Sequence, residues 1–239
     1  MPGSAPAVAG SRWEFAAIGT SWRIDTAAPL DGAARDAVTA VIDGFDRVWS
    51  RFRADSLVSR LASEPKATVP VNETDATDAE LMLDLYTALS AATDGAVNPL
   101  VGDVLARRGY DAAYRFIDEG PAPATADWRE VLRWDDGILR LREPATIDVG
   151  AVGKGRLVDL VLAELRRHDT GPVTVDASGD LVASGVTERI ALEHPYDPRR
   201  AIGVWQVTDA ALCASATNRR AWPGADGGGL HHVLDARTG

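Results

Sequence analysis

Apolar residues recur every three or four positions through the first two thirds of this chain and alternate in short runs through the last third, and that segregation most constrains its fold. Ala34, Val38, Val41, Phe45 and Val48 form the stripe of an amphipathic helix lying on a core. Leu81, Leu85, Leu89 and Ala92 repeat the pattern, with Asp75, Thr77 and Asp78 as possible N-caps. Residues 51–74 then read as the loop between two helices. A third, short helix is expected with Asn98 as cap and Pro99 in its first turn, where a missing amide removes no helical bond, and it ends near Arg108 and Gly109. Residues 109–127 are rich in Gly, Pro, Ala and Asp and read as a surface connection.

Residues 134–141 predict a hairpin turning at Asp136 and Gly137. A strand at 146–149, a Gly-rich turn at 150–155 and a helix through Leu157, Val161 and Leu165 follow. That helix ends in Arg166, Arg167 and His168, which suits the negative pole of its dipole. Beyond Gly171 the pattern is strand and turn, at 173–175, 181–183, 189–192, 202–207 and 212–214. Helices first and strands last predict an α+β fold of mixed or antiparallel sheets with packed helices rather than a regular alternation. One compact domain is expected over residues 11–239, preceded by a flexible segment at residues 1–10.

Charge narrows the function classes. The 239 residues carry 25 Lys and Arg against 35 Asp and Glu, a net charge of -10, which argues against a nucleic-acid surface and leaves room for a small anionic ligand. At 46% apolar the chain can bury a core, yet no apolar run approaches the roughly 20 residues of a membrane span. Cys213 is the only cysteine, which excludes an intramolecular disulfide and a multi-thiolate zinc site. Residues 1–10 have neither the basic head nor the apolar stretch of a signal peptide, so the expected compartment is the cytoplasm. Only Lys66 and Lys154 are lysines, which draws attention to each.

Three clusters carry candidate chemistry. Ile147-Asp148-Val149-Gly150-Ala151-Val152-Gly153-Lys154-Gly155 puts a carboxylate, three glycines and a lysine at a strand-to-helix junction. Main-chain amides and the positive helix pole attract phosphate there, and glycines let a ligand approach the backbone. It does not match the P-loop template, because Gly155 follows Lys154 where Ser or Thr is required. A tight connection is the competing reading. Val175-Asp176-Ala177-Ser178-Gly179-Asp180 reads either as a second turn aimed at a ligand or as a hairpin with Asp side-chain turns. His231 and His232 are adjacent, so in a strand only one of them faces a given site.

In this order the clusters resemble the ApbE family, flavin transferases that move FMN from FAD to a threonine of a target protein. Phe45-Asp46-Arg47-Val48-Trp49-Ser50-Arg51-Phe52-Arg53-Ala54-Asp55-Ser56 is similar to the family's first block, and Thr93-Asp94-Gly95-Ala96-Val97-Asn98-Pro99 to its second. Asp148, Gly150, Lys154, Gly155 and Asp159 match the third, Gly179-Asp180 the fourth, and residues 232–239 the fifth. Ser178 stands where a second glycine is common, and Ala236 replaces a usual proline.

The resemblance implies a flavin cleft between two lobes, with FAD as substrate, magnesium as cofactor and an acceptor flavoprotein as partner. It marks His232, Asp148 and Lys154 as catalytic. Gly19, Thr20, Ser56, Asp94, Gly95, Gly150, Val152, Lys154, Asp159, Gly179 and His232 are its FAD contacts, and the Gly153 carbonyl its metal ligand. An Asp and, four residues on, a Thr that bind the cation are expected after the Thr-Gly pair; Thr238-Gly239 are the last residues here. An FAD pyrophosphatase, in which water replaces the threonine, and a catalytically weak FAD-binding module are the alternative readings.

Overall fold

The computed structural model describes residues 10–64, 69–70, 73–135, 137–218 and 220–239. Apart from Gly10, the segment expected to be flexible lies outside them, as do Lys66 and the Asp136 of the predicted hairpin turn. In chain order the elements are β1 (Ser11–Ala17), β2 (Thr20–Thr26), α1 (Gly32–Trp49), α2 (Leu57–Ser63), β3 (Val69–Pro70), α3 (Glu73–Ala92), α4 (Gly102–Arg107) and α5 (Trp128–Val131). There follow β4 (Leu132–Asp135), β5 (Ile138–Leu141), α6 (Gly153–Arg167), β6 (Val173–Asp176), β7 (Asp180–Ser184), β8 (Thr187–His194), β9 (Asp197–Thr208), β10 (Ala211–Cys213), β11 (Ala221–Pro223) and β12 (Gly229–His231). Among the described residues every strand pairing is antiparallel, in keeping with the expected α+β class. Among the described residues no helix is long and apolar enough to cross a membrane.

The chain divides into two compact units. The first comprises the residues up to Ile42 together with Leu157–Ser215. Its five-stranded sheet has the order β1-β2-β6-β7-β10, with Ile24 opposite Val175 and Val175 opposite Val182. Trp22, Ile24, Val173, Val175 and Leu181 are buried, as is the Leu157, Val161 and Leu165 stripe of α6. Arg166, at the end of that helix, donates to the Ser184 hydroxyl at 3.0 Å. The β1–β2 hairpin is not among the strands expected from the sequence; Ile18 and Gly19 form its two-residue turn, with φ of 45° and 71°, the left-handed pair that matches strand twist.

The second unit comprises Asp43–Arg156 and Ala216–Gly239. It holds α2 to α5, the three-stranded sheet β3-β5-β4 and the β11–β12 pair. Several expectations change here, and residues 51–74, read as a loop, carry α2 and β3. The face of α3 that turns inward is Ala79, Met82, Tyr86 and Ser90, while Leu81 and Leu85 are about half exposed, at 49% and 47%. Polar anchors fix that rotation: Arg156 bonds Asp78 at 2.7 Å, and the Tyr86 hydroxyl donates to the Asp148 carbonyl at 3.0 Å. Asp75, Thr77 and Asp78 therefore lie inside α3, which begins at Glu73.

The short third helix starts at Gly102, later than expected, because Asn98 caps a preceding turn by accepting from the Leu100 amide. Residues 146–149 do not join a sheet. The Thr146 amide donates to the Asp103 carboxylate and the Asp148 amide to the Pro99 carbonyl, at 2.9 and 2.8 Å, so α4 and its entry turn replace a neighbouring strand. Lys154 and Gly155 belong to the first turn of α6, which leaves residues 150–152 as the connection.

Gly102 is where α4 meets this extended segment: a Cβ there would lie 2.5 Å from the Thr146 carbonyl oxygen. Gly44, inside α1, has nothing within 4 Å of a Cβ. Gly102→Ala should lower unfolding stability by about 1–3 kcal/mol through overpacking. Gly44→Ala should raise it by about 0.5–1 kcal/mol by restricting the unfolded chain. Urea titrations of both variants check the opposite signs.

Candidate active site

In the second unit one ion pair organises the residues on which the sequence motifs converge. Arg51 follows α1, and its Nε donates to Asp148 Oδ2 at 2.5 Å although 97 residues separate them. Its Nη1 donates to the Tyr110 carbonyl at 2.8 Å. The Arg51 side chain is 4% exposed and that of Asp148 13%, so both charges are largely removed from water. The other Asp148 oxygen accepts the Gly150 amide at 2.6 Å, and its carbonyl accepts Tyr86. Burial, reinforced by the Asp148 charge, pushes the Tyr86 phenol well above its ordinary range, so it stays protonated and donating. Gly153 completes the turn, with its amide bonded to the Val149 carbonyl and no room for a Cβ, which would sit 2.8 Å from Val149 Cγ2.

His232 follows β12 beside this turn. Its ring meets Tyr110 edge-on at 6.4 Å, and its amide donates to the Arg220 carbonyl at 3.3 Å. Burial, more than any other influence, lowers its pKa below the usual histidine value, and the charges of Arg220, His231 and Lys154 lower it further against the opposing Arg220 carbonyl. His232 is thus neutral at pH 7 and able to accept a proton. Its Nδ1 is buried with no hydrogen-bond partner among the described residues. The structure therefore brings together Asp148, Gly150, Gly153, Lys154 and His232, all in the second unit.

Other marked residues of this unit have local roles. Asp94 and Gly95, with φ of 53° and 83°, end α3, and the Gly95 amide bonds the Ser90 carbonyl at 2.8 Å. Asp94 lies 4.0 Å from Arg237, which holds the Asp235 carboxyl down at about 2, chiefly by hydrogen bonding. Ser56 is fully buried and caps α2 by accepting the Ser59 amide at 3.1 Å. Val152 is buried just before α6.

Gly19, Thr20, Asp159 and Gly179 belong to the first unit. Asp159 lies on the exposed side of α6. Ser178 has φ of 54° and Gly179 of 112°, which explains why glycine suits the Ser178 position. The Ser178 hydroxyl donates to the Ser21 carbonyl at 2.8 Å, and Arg23 pairs with Asp176 at 3.2 Å. These groups, with Glu14, Phe15 and Trp22, line a cleft of about 490 Å³.

The residues present do not by themselves fit a metal. Among the described residues no group of three His, Cys, Asp or Glu is placed to hold one, and both Asp148 oxygens are engaged. Sequence reasoning gave no role to Arg51, Tyr86, Tyr110 or Arg220. The aromatic that follows Arg51 was visible as a hint: the guanidinium carbon lies 4.1 Å from the Phe52 ring centre and 4.9 Å from that of Tyr110. Its pairing with Asp148 was not, since the two share no sequence neighbourhood.

The fold is that of solved ApbE structures. The ApbE protein of Thermotoga maritima matches with a TM-score of 0.77 and 22% identity, over 95% of this chain and 76% of that one. The flavinyl transferase ApbE of Pseudomonas stutzeri matches at 0.74 and 22%, over 95% and 74%. The flavin transferase ApbE of Vibrio cholerae matches at 0.68 and 20%, over 84% and 69%. None of the curated proteins compared matches the sequence. The model of the ApbE family matches residues 18–239, and the chain belongs to that family.

Breaking a buried pair leaves an uncompensated charge. Arg51→Met and Asp148→Asn should each lower stability by about 3–5 kcal/mol. A double-mutant cycle by chemical denaturation should return a coupling of roughly 0.5–3 kcal/mol, as for residues in one network, whereas additive losses would show the pair to be uncoupled.

Proposed function

We propose that this protein is an FAD:protein FMN transferase, which transfers FMN from FAD to a threonine of an acceptor flavoprotein and releases AMP, with magnesium as cofactor. Membership of the ApbE family supports the reaction class. The observation that carries the mechanism is the position of His232, half-buried against Tyr110 and bonded to the Arg220 carbonyl, where burial above all lowers its basicity. Magnesium dependence rests on the family resemblance alone. The ion, when bound, supplies charge neutralisation at the phosphates.

In the proposed reaction the threonine oxygen forms a bond to the phosphorus on the FMN side, and the phosphoanhydride P–O bond to AMP breaks. His232 accepts the hydroxyl proton, and the released AMP takes up the electron pair of the broken bond. Lys154, in the first turn of α6, stabilises the growing phosphate charge together with the positive end of that helix. Asp148 acts as a positioning residue, holding the Gly150 amide and Arg51 in place. Gly150 and Val152 approach the phosphates through their backbone. Asp94 and Gly95, also in the second unit, are assigned to the rest of FAD.

Incubation with FAD, magnesium and a threonine-bearing flavoprotein acceptor tests the reading. AMP with covalently flavinylated acceptor supports transfer. AMP with free FMN shows hydrolysis instead, and retained FAD without AMP shows a binding module.

The depressed pKa of His232 sets the pH dependence. A base must be unprotonated, so the rate of AMP release should hold its plateau as pH falls to the ordinary histidine value of about 6.5 and decline only below it. His232→Gln should remove that acid limb and lower the rate roughly 100-fold or more. A pH–rate profile that declines already above 6.5, or one unchanged in the variant, would rule out His232 as the base.

A further inference from the structure

Two guanidiniums share one aromatic ring in the second unit. The carbon of Arg51 lies 4.9 Å from the Tyr110 ring centre and that of Arg220 lies 5.5 Å from it. Arg51 is held by Asp148 and by the Tyr110 carbonyl, and its remaining nitrogen, Nη2, is buried with no hydrogen-bond partner among the described residues. Arg220 is half-buried, and its surroundings disfavour its charge, first through burial and then through Arg51. Like charges brought together out of water destabilise the fold, and a buried donor left unbonded adds to that loss. An oxyanion between the two side chains would convert the repulsion into charge-assisted bonds, for which the planar guanidinium fork is well shaped.

We propose that Arg51 Nη2 and the Arg220 guanidinium, flanking Tyr110, form a seat for a phosphate oxygen of the dinucleotide, with Arg220 as the residue that distinguishes a diphosphate from an uncharged flavin. The proposal rests on the transferase reading, and it extends the phosphate-binding set beyond Lys154 and the Gly-rich turn. His232 contacts the same Tyr110 ring, so a phosphate seated there lies beside the proton acceptor. Arg51 is placed by its ion pair and is the fixed half of the seat; Arg220 is the half accessible to substitution without unfolding.

The test is calorimetric titration of the whole protein with inorganic pyrophosphate in EDTA, so that neither metal nor turnover contributes. Wild type should bind it saturably. Arg220→Gln should weaken it roughly 10- to 100-fold, the value of one charge-assisted contact, and Arg220→Lys should recover part of the loss. Arg220→Gln should also keep a cooperative unfolding transition within a few degrees of the wild-type melting temperature, which separates a lost ligand contact from a damaged fold. Arg167→Gln, on the exposed end of α6, should leave pyrophosphate affinity unchanged. Riboflavin affinity should be equal in wild type and Arg220→Gln. Pyrophosphate affinity within twofold of wild type in Arg220→Gln, or no saturable binding by wild type, would overturn the seat. The transferase reading fails separately: wild type that binds pyrophosphate through Arg220 yet yields no AMP from FAD keeps the seat and loses the reaction.

Discussion

A guanidinium and a carboxylate taken out of water together, Arg51 and Asp148, hold the second unit's chemistry in register. Each alone would be costly to bury, and their attraction is reinforced by further hydrogen bonds to both, although Arg51 Nη2 has no hydrogen-bond partner among the described residues. Arg51 also binds the Tyr110 carbonyl, and Asp148 also binds the Gly150 amide and, through its carbonyl, Tyr86. The segment after α1, the loop at Tyr110, α3 and the turn before α6 are thereby tied to two side chains. The turn's geometry is set by electrostatics where a sheet ladder would otherwise set it, since residues 146–149 pair with no strand.

Around this pair the protein accumulates features that stability alone does not favour. Tyr114 and Phe116 have φ of 51° and 53°, a conformation that costs aromatic residues about 1–2 kcal/mol each. Their rings nonetheless pack on Phe52, Tyr110 and Trp222, with centroid separations from 5.2 to 6.5 Å. That aromatic cluster carries both guanidiniums and the His232 edge contact. Low-polarity rings raise the strength of every charge interaction beside them. The depressed basicity of His232 and the mutual repulsion of Arg51 and Arg220 have this common origin.

Much of this was legible in residue order, and the limits have physical causes. The α6 stripe and the strands from residue 173 to 214 follow from local periodicity; in α1 Ala34, Val38 and Phe45 are buried as expected, while Ile42 and Trp49 turn inward in place of Val41 and Val48. The family blocks pointed to Asp148, Lys154 and His232, and the structure gathers them. Long-range polar anchors were hidden. The rotation of α3 depends on Asp78 meeting Arg156 and Tyr86 meeting Asp148, so Leu81 and Leu85 face outward despite their regular spacing. The turn at Ile18-Gly19 was missed because a lone Ile-Gly lacks the Asn or Asp that usually announces a left-handed pair. The late start of α4 depends on Asn98 reaching Thr125, 27 residues away.

The dependence of the turn on the ion pair is measured most directly by amide hydrogen exchange in wild type and Arg51→Met, under conditions where the variant remains folded. The amides of Asp148, Gly150 and Gly153 should lose protection in the variant by an amount approaching the loss of the pair, while amides of β6 and β7 keep theirs apart from any global shift. Equal protection of those three amides in both proteins would contradict the claim that Arg51 and Asp148 hold the site together.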